Sequence, residues 1–300
     1  MVFFGNFVEL KTITMNHFFR ISALAAIVLA SVACSSTKKL SYSPQGFPIV
    51  DQGGKVAIVA HRGFWNCEQA GFSENSIASL KAAQDAGLWG SECDIHVTAD
   101  DVVIVNHDPS INGKAIGTHK FADFASDLLP NGERRPTFDE YLVQAAKCKT
   151  TFLVIELKKQ MNKDREDRLL DLTIEALKAH KLLDPTRVLF ITFSKYMCER
   201  IAREQPLFIN QFLSSDPILN EDPAIYAALK INGVDYHRKM FMAHPEWVRN
   251  AHDIGMSVNV WTVNKADEIK KMIEIGVDAI TTNEPLLVRE LLGSNEYKKK

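Results

Sequence analysis

From Val56 to Leu292 the chain alternates short runs rich in β-branched residues with longer stretches whose apolar residues recur three and four apart. No other feature restricts the fold as much. The runs are Val56–Ala60, Glu92–Val97 with Val102–Asn106, Phe152–Leu157, Val188–Phe193, Leu207–Phe212, Val234–Tyr236, Ser257–Thr262 and Ala279–Thr282. Between them lie helical patterns such as Ile77-Leu80-Ala83, Leu169-Leu172-Leu177 and Ile269-Met272-Ile273, the spacing of one helix face. Gly87, Gly255 and Gly276 stand near the ends of such patterns, where a left-handed cap suits glycine. Repeated strand–helix units predict a parallel sheet, and eight units close a (β/α)8 TIM barrel in one domain. A doubly wound open sheet is the alternative, but no glycine-rich phosphate loop follows the first strand.

The barrel carries a positional expectation: catalytic residues stand at the C-terminal ends of strands. The first strand ends in His61-Arg62-Gly63, the second carries Glu92-Cys93-Asp94, its β continuation ends in His107-Asp108, and the third ends in Glu156-Leu157-Lys158. Residues two apart on a strand share a face. Glu92 and Asp94 therefore aim into one space and Cys93 into packing on the other side. Glu156 and Lys158 repeat that geometry on the neighbouring strand. Converging carboxylates repel and raise one another's pKa, and a hard divalent cation with oxygen ligands, Ca²⁺ or Mg²⁺, relieves this. Arg62 and Lys158 supply positive charge for a phosphodiester, and an arginine can grip two phosphate oxygens at once. His61 and His107 can trade protons near neutral pH. The set suits metal-dependent displacement at phosphorus.

Val59-Ala60-His61-Arg62-Gly63, Ser73-Glu74-Asn75-Ser76, Glu92-Cys93-Asp94, His107-Asp108, Ile155-Glu156-Leu157-Lys158, Val260-Trp261-Thr262-Val263-Asn264 and Gly276-Val277-Asp278-Ala279-Ile280-Thr281-Thr282-Asn283 occur in that order. Together they resemble the glycerophosphodiester phosphodiesterase family. The resemblance implies a barrel in which Glu92, Asp94 and Glu156 hold one divalent cation, His61 and His107 form the acid–base pair, and Arg62 and Lys158 meet the phosphate. A substrate glycerol hydroxyl would attack phosphorus and expel the alcohol, and water would open the cyclic phosphate to glycerol 3-phosphate. Glu74 and Asn75 would brace the first loop, with Ser73 in local capping. Trp261 and Phe193 would either wall the substrate pocket or pack at the rim. The chain departs from the family after His107-Asp108, where Pro109-Ser110-Ile111-Asn112-Gly113-Lys114 replaces an arginine and threonine pair. Phe64-Trp65-Asn66-Cys67-Glu68-Gln69 fits no assigned pattern. His96, His119, His237 and His244 are read as structural or surface residues.

Upstream, Ile21–Ala33 is an apolar, small-residue run preceded by Lys11 and Arg20. It is too short to span a bilayer and has the parts of an export signal, for which Met15 is a better start than Met1. Ser31-Val32-Ala33-Cys34 resembles a lipoprotein lipobox, with Ser31 in place of the usual leucine. It implies lipidation at Cys34; a cleaved signal without lipid is the alternative. Residues 1–34 are thus read as the signal, 35–54 as a polar linker, 55–293 as the barrel and 294–300 as a tail. The expected location is the periplasm or cell envelope, with membrane attachment through the lipid.

Cys67, Cys93, Cys148 and Cys198 show no CxxC spacing, so a structural zinc site has little support. With 35 basic against 37 acidic residues the chain offers no basic face to nucleic acid. The expected partner is a small-molecule glycerophosphodiester. Two other functions fit parts of the pattern: a phospholipase-type phosphodiesterase acting on phosphoinositide or sphingolipid head groups, and a non-catalytic lipoprotein that captures phosphate ligands. The second would be expected to have lost a histidine or carboxylate of the set.

Overall fold

The computed structural model describes residues 56–293 except 217, 219 and 220. The signal with Cys34, the linker and the 294–300 tail lie outside the described residues. The predicted runs form eight parallel strands: β1 (Ala57–Ala60), β2 (Gly90–Val97), β3 (Phe152–Leu157), β4 (Val188–Thr192), β5 (Asn210–Ser214), β6 (Gly233–His237), β7 (Ser257–Trp261) and β8 (Ala279–Thr282). Each pairs with its successor in the chain. Ala57 to Ala60 pair with Ala279 to Thr282, which closes the ring. The barrel is therefore a (β/α)8 barrel.

Its inside is filled by Ala57, Val59, Phe152, Val154, Leu189, Ile191, Leu213 and their neighbours. Two larger apolar clusters fill the space between strands and helices. Alternation along each strand therefore feeds both layers, and at roughly 1.5–3 kcal/mol per fully buried large aliphatic side chain it also sets which residue faces the barrel axis. Cys93 falls on the helix side with Leu80, Ile95 and Tyr141, as its place between Glu92 and Asp94 predicts.

The helices start where capping chemistry allows. Ser76, and not Ser73, caps α1 (Ile77–Asp85): Ser76 Oγ accepts from the Ser79 amide at 2.9 Å. Ser73 Oγ instead accepts from the Asn131 amide at 2.8 Å, tying two loops. Gly87, Gly255 and Gly276 all have positive φ, as the cap reading requires.

Two strand assignments shift. The fifth strand begins at Asn210, not Leu207. Asn232 accepts from the Asn210 amide through Oδ1 at 2.8 Å and donates to the Phe208 carbonyl at 2.9 Å. That apolar approach segment is fastened by a side chain before ladder pairing takes over. The continuation of β2 does not extend it. After a tight turn at 98–102, Val103–Val105 folds back antiparallel on Ile95–Val97. This hairpin returns the chain to the barrel mouth at His107. The segment that follows carries a small hairpin, Ser110–Ile111 with Lys114–Ala115, over its own core of Ile104, Ile111, Ile116 and Phe124. No helix among the described residues is long and apolar enough to cross a membrane.

Candidate active site

Parallel register sets Asp94 beside Glu156 across β2 and β3, and Glu92 precedes Asp94 by two on the same face. Ligand atoms of the three carboxylates lie within 4.8 Å of one another, all buried. Each is held differently. Glu92 Oε2 accepts the Arg62 amide at 2.7 Å, while Glu92 Oε1 is buried with no hydrogen-bond partner. Asp94 accepts Asn75 Nδ2 on Oδ2 at 2.8 Å and faces Lys158 Nζ at 3.2 Å on Oδ1. Glu156 Oε1 pairs with Lys158 Nζ at 2.8 Å.

The titrations follow these surroundings. Burial raises Glu92 well above the usual carboxylate range, and the charges of Asp94 and Glu156 add to it. Glu156 is pushed up to about 8 by burial and by Asp94, against the pull of Lys158. Asp94 goes the other way: burial opposes its charge, but Lys158, His107 and the Asn75 amide together hold it below the ordinary value. A cluster in which Glu92 Oε1 is orphaned, Glu156 Oε1 has only its ion pair to Lys158 and two carboxyls are forced upward has the chemistry to hold a hard cation.

Arg62 and Asn75 build the wall around Asp94. Both have left-handed backbones (φ 56° and 54°), followed in the first case by Gly63 at φ 78°. A Cβ on Gly63 would stand 2.2 Å from Ser79 Oγ. This tight turn aims the Arg62 amide at Glu92 while its guanidinium reaches Glu74 at 2.8 Å and Asp94 at 3.7 Å.

His61 sits at the end of β1 with Nδ1 2.8 Å from Asn283 Oδ1. Trp65 Nε1 also meets that oxygen, at 3.3 Å. An indole nitrogen only donates, so this Asn283 atom is the carbonyl oxygen and His61 Nδ1 carries the proton. Nε2 is thereby the free base. Burial and the Arg62 charge lower the His61 pKa to about 4, so the imidazole is neutral at physiological pH. His107 is braced in the same way, its Nδ1 donating to Asp108 Oδ1 at 2.8 Å. Its carbonyl accepts from His96 Nε2 at 3.2 Å, and burial lowers His96 to about 4 as well.

Across the mouth, Phe193 follows β4 and Trp261 ends β7. Their rings meet edge-to-face at 5.6 Å, and His237 packs on Trp261 at 5.3 Å. Trp261 Nε1 donates to the Asp235 carbonyl at 3.0 Å. A cavity of about 290 Å³ opens beside His107.

All ten sequence-predicted site residues except Cys34, which lies outside the described residues, gather at this one end of the barrel. Several partners were not assigned from sequence. Asn283 was visible only as the last residue of Thr281-Thr282-Asn283. Asp235, buried on β6 and raised by that burial and by Glu156, was visible only as an acid inside an apolar run. His96, read as structural or surface, is 4% exposed on β2 beside His107. The four described cysteines are free.

The sequence profile of the Glycerophosphoryl diester phosphodiesterase family matches residues 61–287. The chain belongs to this family. It is an enzyme that hydrolyses glycerophosphodiesters to glycerol 3-phosphate and an alcohol. A glycerophosphodiester phosphodiesterase of Caldanaerobacter subterraneus subsp. tengcongensis is 26% identical over 77% of this chain and 95% of its own length. The crystal structure of a glycerophosphodiester phosphodiesterase from Parabacteroides distasonis superposes with a TM-score of 0.76 at 36% identity, over 81% of this chain and 98% of that one. A third neighbour shares the fold at 22% identity and a TM-score of 0.68, over 79% of this chain and 97% of its own: an Oleispira antarctica phosphodiesterase solved with its product sn-glycerol-3-phosphate. The phosphodiesterase barrel and the buried acidic triad agree with the divalent-metal dependence general to the family.

Proposed function

We propose that this phosphodiesterase works with one divalent cation, Ca²⁺ or Mg²⁺, on Glu92, Asp94 and Glu156, with His61 and His107 as the proton carriers. The convergence of three buried carboxylates at the C-terminal mouth of the barrel carries this reading. The cation, when bound, supplies a Lewis acid for the charge developing on the phosphate. Its ligands would include the orphan Glu92 Oε1.

The remaining work belongs to the chain's own side chains. Arg62 and Lys158 bring positive charge to the phosphate; each already leans on Asp94. His61 Nε2, fixed by Asn283 as the unprotonated nitrogen, takes a proton from the attacking glycerol hydroxyl. His107, lining the adjoining cavity, gives a proton to the departing alcohol oxygen. The roles then reverse as water opens the cyclic phosphate, so each histidine ends as it began. Phe193 and Trp261 form the apolar side of the pocket and exclude water from the glycerol.

Release of glycerol 3-phosphate from glycerophosphocholine, measured after chelation and after adding back Mg²⁺ or Ca²⁺, tests the reading. Activity should vanish and return with metal. Undiminished turnover in thorough chelation removes the cation from the mechanism. A phospholipase reading predicts faster cleavage of phospholipid vesicles than of soluble diesters, and a binding protein predicts no cleavage of either.

The N-terminal lipid anchor belongs to the same proposal. The Ser31–Cys34 segment supports a protein held at a membrane in the cell envelope. A fatty-acid analogue should label the wild type and not Cys34→Ala; no label on either leaves a cleaved, unlipidated signal.

A further inference from the structure

The cavity beside His107 has apolar sides of Trp65, Phe72, Leu129 and Pro130, and a polar side of Asn106 and Arg135. Its walls come from two separate loops that are locked together. The Asn131 amide donates to Ser73 Oγ at 2.8 Å, and Asn131 Nδ2 donates to the Ala70 carbonyl at 3.2 Å. Arg135 enters from an extended segment laid along the hairpin arm, where the Val105 amide donates to the Pro136 carbonyl at 3.0 Å and Ile104 bridges Thr137. The cavity is thus a built space and does not depend on one exposed loop.

Arg135 is the odd residue in it. Its Nη1 donates to Asn106 Oδ1, and Asn106 in turn donates through Nδ2 at 2.6 Å to the carbonyl of Asp108, the residue that braces His107. Arg135 Nε, however, is buried without a hydrogen-bond partner. Asp127, Glu74 and Asp108 act on it only through space, and burial still outweighs them, lowering the guanidinium below its ordinary value. Glu74, the acid on the cavity wall, is already paired with Arg62 at 2.8 Å. A part-buried guanidinium with an unused donor costs desolvation without return. Such a fork matches the two oxygens of a carboxylate or phosphate.

We infer that this cavity receives the departing alcohol and that Arg135 makes the enzyme favour alcohols bearing an oxyanion of their own, a carboxylate or a phosphate monoester. The inference rests on the proposed reading in which His107 protonates the leaving oxygen. That oxygen then sits at the cavity's edge, and the rest of the alcohol extends toward Arg135. Trp65 and Phe72 could face a quaternary ammonium, but the Arg135 charge at the same wall disfavours one.

Matched substrates test this with the metal-loaded full chain. Glycerophosphoserine and glycerophosphoethanolamine differ only in a carboxylate. Glycerophosphoglycerol and its terminally phosphorylated form differ only in a phosphate. For wild type, kcat/KM should favour the oxyanion-bearing member of at least one pair by about tenfold or more, the scale of one charge-assisted contact. The pair that shows the preference identifies the oxyanion. Arg135→Gln should collapse that ratio at least tenfold, mainly through KM, and Arg135→Lys, which keeps charge and loses the fork, should fall between. Ratios near one in wild type, ratios unchanged in Arg135→Gln, or a preference for glycerophosphocholine overturn the inference. Thermal melts of the variants separate misfolding from lost selectivity. If no diester yields glycerol 3-phosphate, the phosphodiesterase reading itself fails. Calorimetric binding of O-phosphoserine then decides the subsite: weakening of tenfold or more in Arg135→Gln sustains it, and equal binding removes it.

Discussion

The two arcs of the barrel mouth are built from different chemistry. The arc of β1, β2 and β3 presents His61, held by Asn283, and Arg62, Glu92, Asp94, Glu156 and Lys158, which are linked by hydrogen bonds and ion pairs of 2.7–3.2 Å. The arc of β4, β6 and β7 presents Phe193, His237 and Trp261, held to one another by ring contacts of 5.3–5.6 Å. Charge needs fixed partners because an unpaired buried charge is costly, whereas apolar rings need only shape and area. The difference teaches a division of labour. The first arc should govern the chemical step, and the second should govern how well the glycerol end is held.

The largest effects should come from breaking the charged arc. Glu92→Gln and Asp94→Asn should each remove nearly all phosphodiesterase activity and weaken divalent-cation binding measured by calorimetry. Normal metal affinity in both would detach the triad from the cation. His61→Ala should lower kcat by about 10²–10⁴-fold, the usual worth of a positioned proton carrier, with metal binding retained. The pH profile adds a sign. As a base, His61 must be neutral, and burial with Arg62 lowers it to about 4. Activity limited by this group is therefore lost as pH falls through about 4, not through the ordinary histidine range. An acid limb of kcat/KM near 6.5, assigned to His61 by its absence in His61→Gln, contradicts the site as drawn.

Smaller effects should follow one step back from the reacting atoms. Asn283→Ala frees the His61 ring and its tautomer and should cost about 10–100-fold in kcat, as loss of an orienting partner does at comparable sites. KM should change little. The smallest effect belongs to the aromatic arc. Trp261→Ala should raise KM by about tenfold, on the scale of lost apolar contact, and leave kcat within a few-fold. A Trp261→Ala variant that loses kcat as deeply as His61→Ala would erase the distinction between the arcs.

Much of the charged arc was legible beforehand because strand periodicity carries side-chain direction. Glu92 and Asp94 must share a face and Cys93 must leave it, whatever the rest of the chain does. Eight strand–helix units left little choice but a barrel, and a barrel puts strand ends together. What was not legible depended on pairs distant in the chain. His61 and Asn283 are 222 positions apart, and no local pattern marks them as donor and acceptor. The hairpin that turns His107 back to the mouth reads locally as a longer strand. The fifth strand starts later than its apolar run suggests because Phe208 and Ile209 are apolar for reasons of core packing and Leu207 is exposed, while ladder pairing starts at Asn210.

Composition and periodicity alone thus determined the fold class, the end of the barrel at which the proposed site gathers, and the acidic identity of the proposed cation donors. Only the tertiary structure decided how each donor behaves. Asp94 is held low and Glu156 is pushed up to about 8, although both are carboxylates at strand ends. The physical reason is that direction along a strand is a local property, whereas a pKa or a tautomer is set by the neighbours that folding brings within a few ångströms.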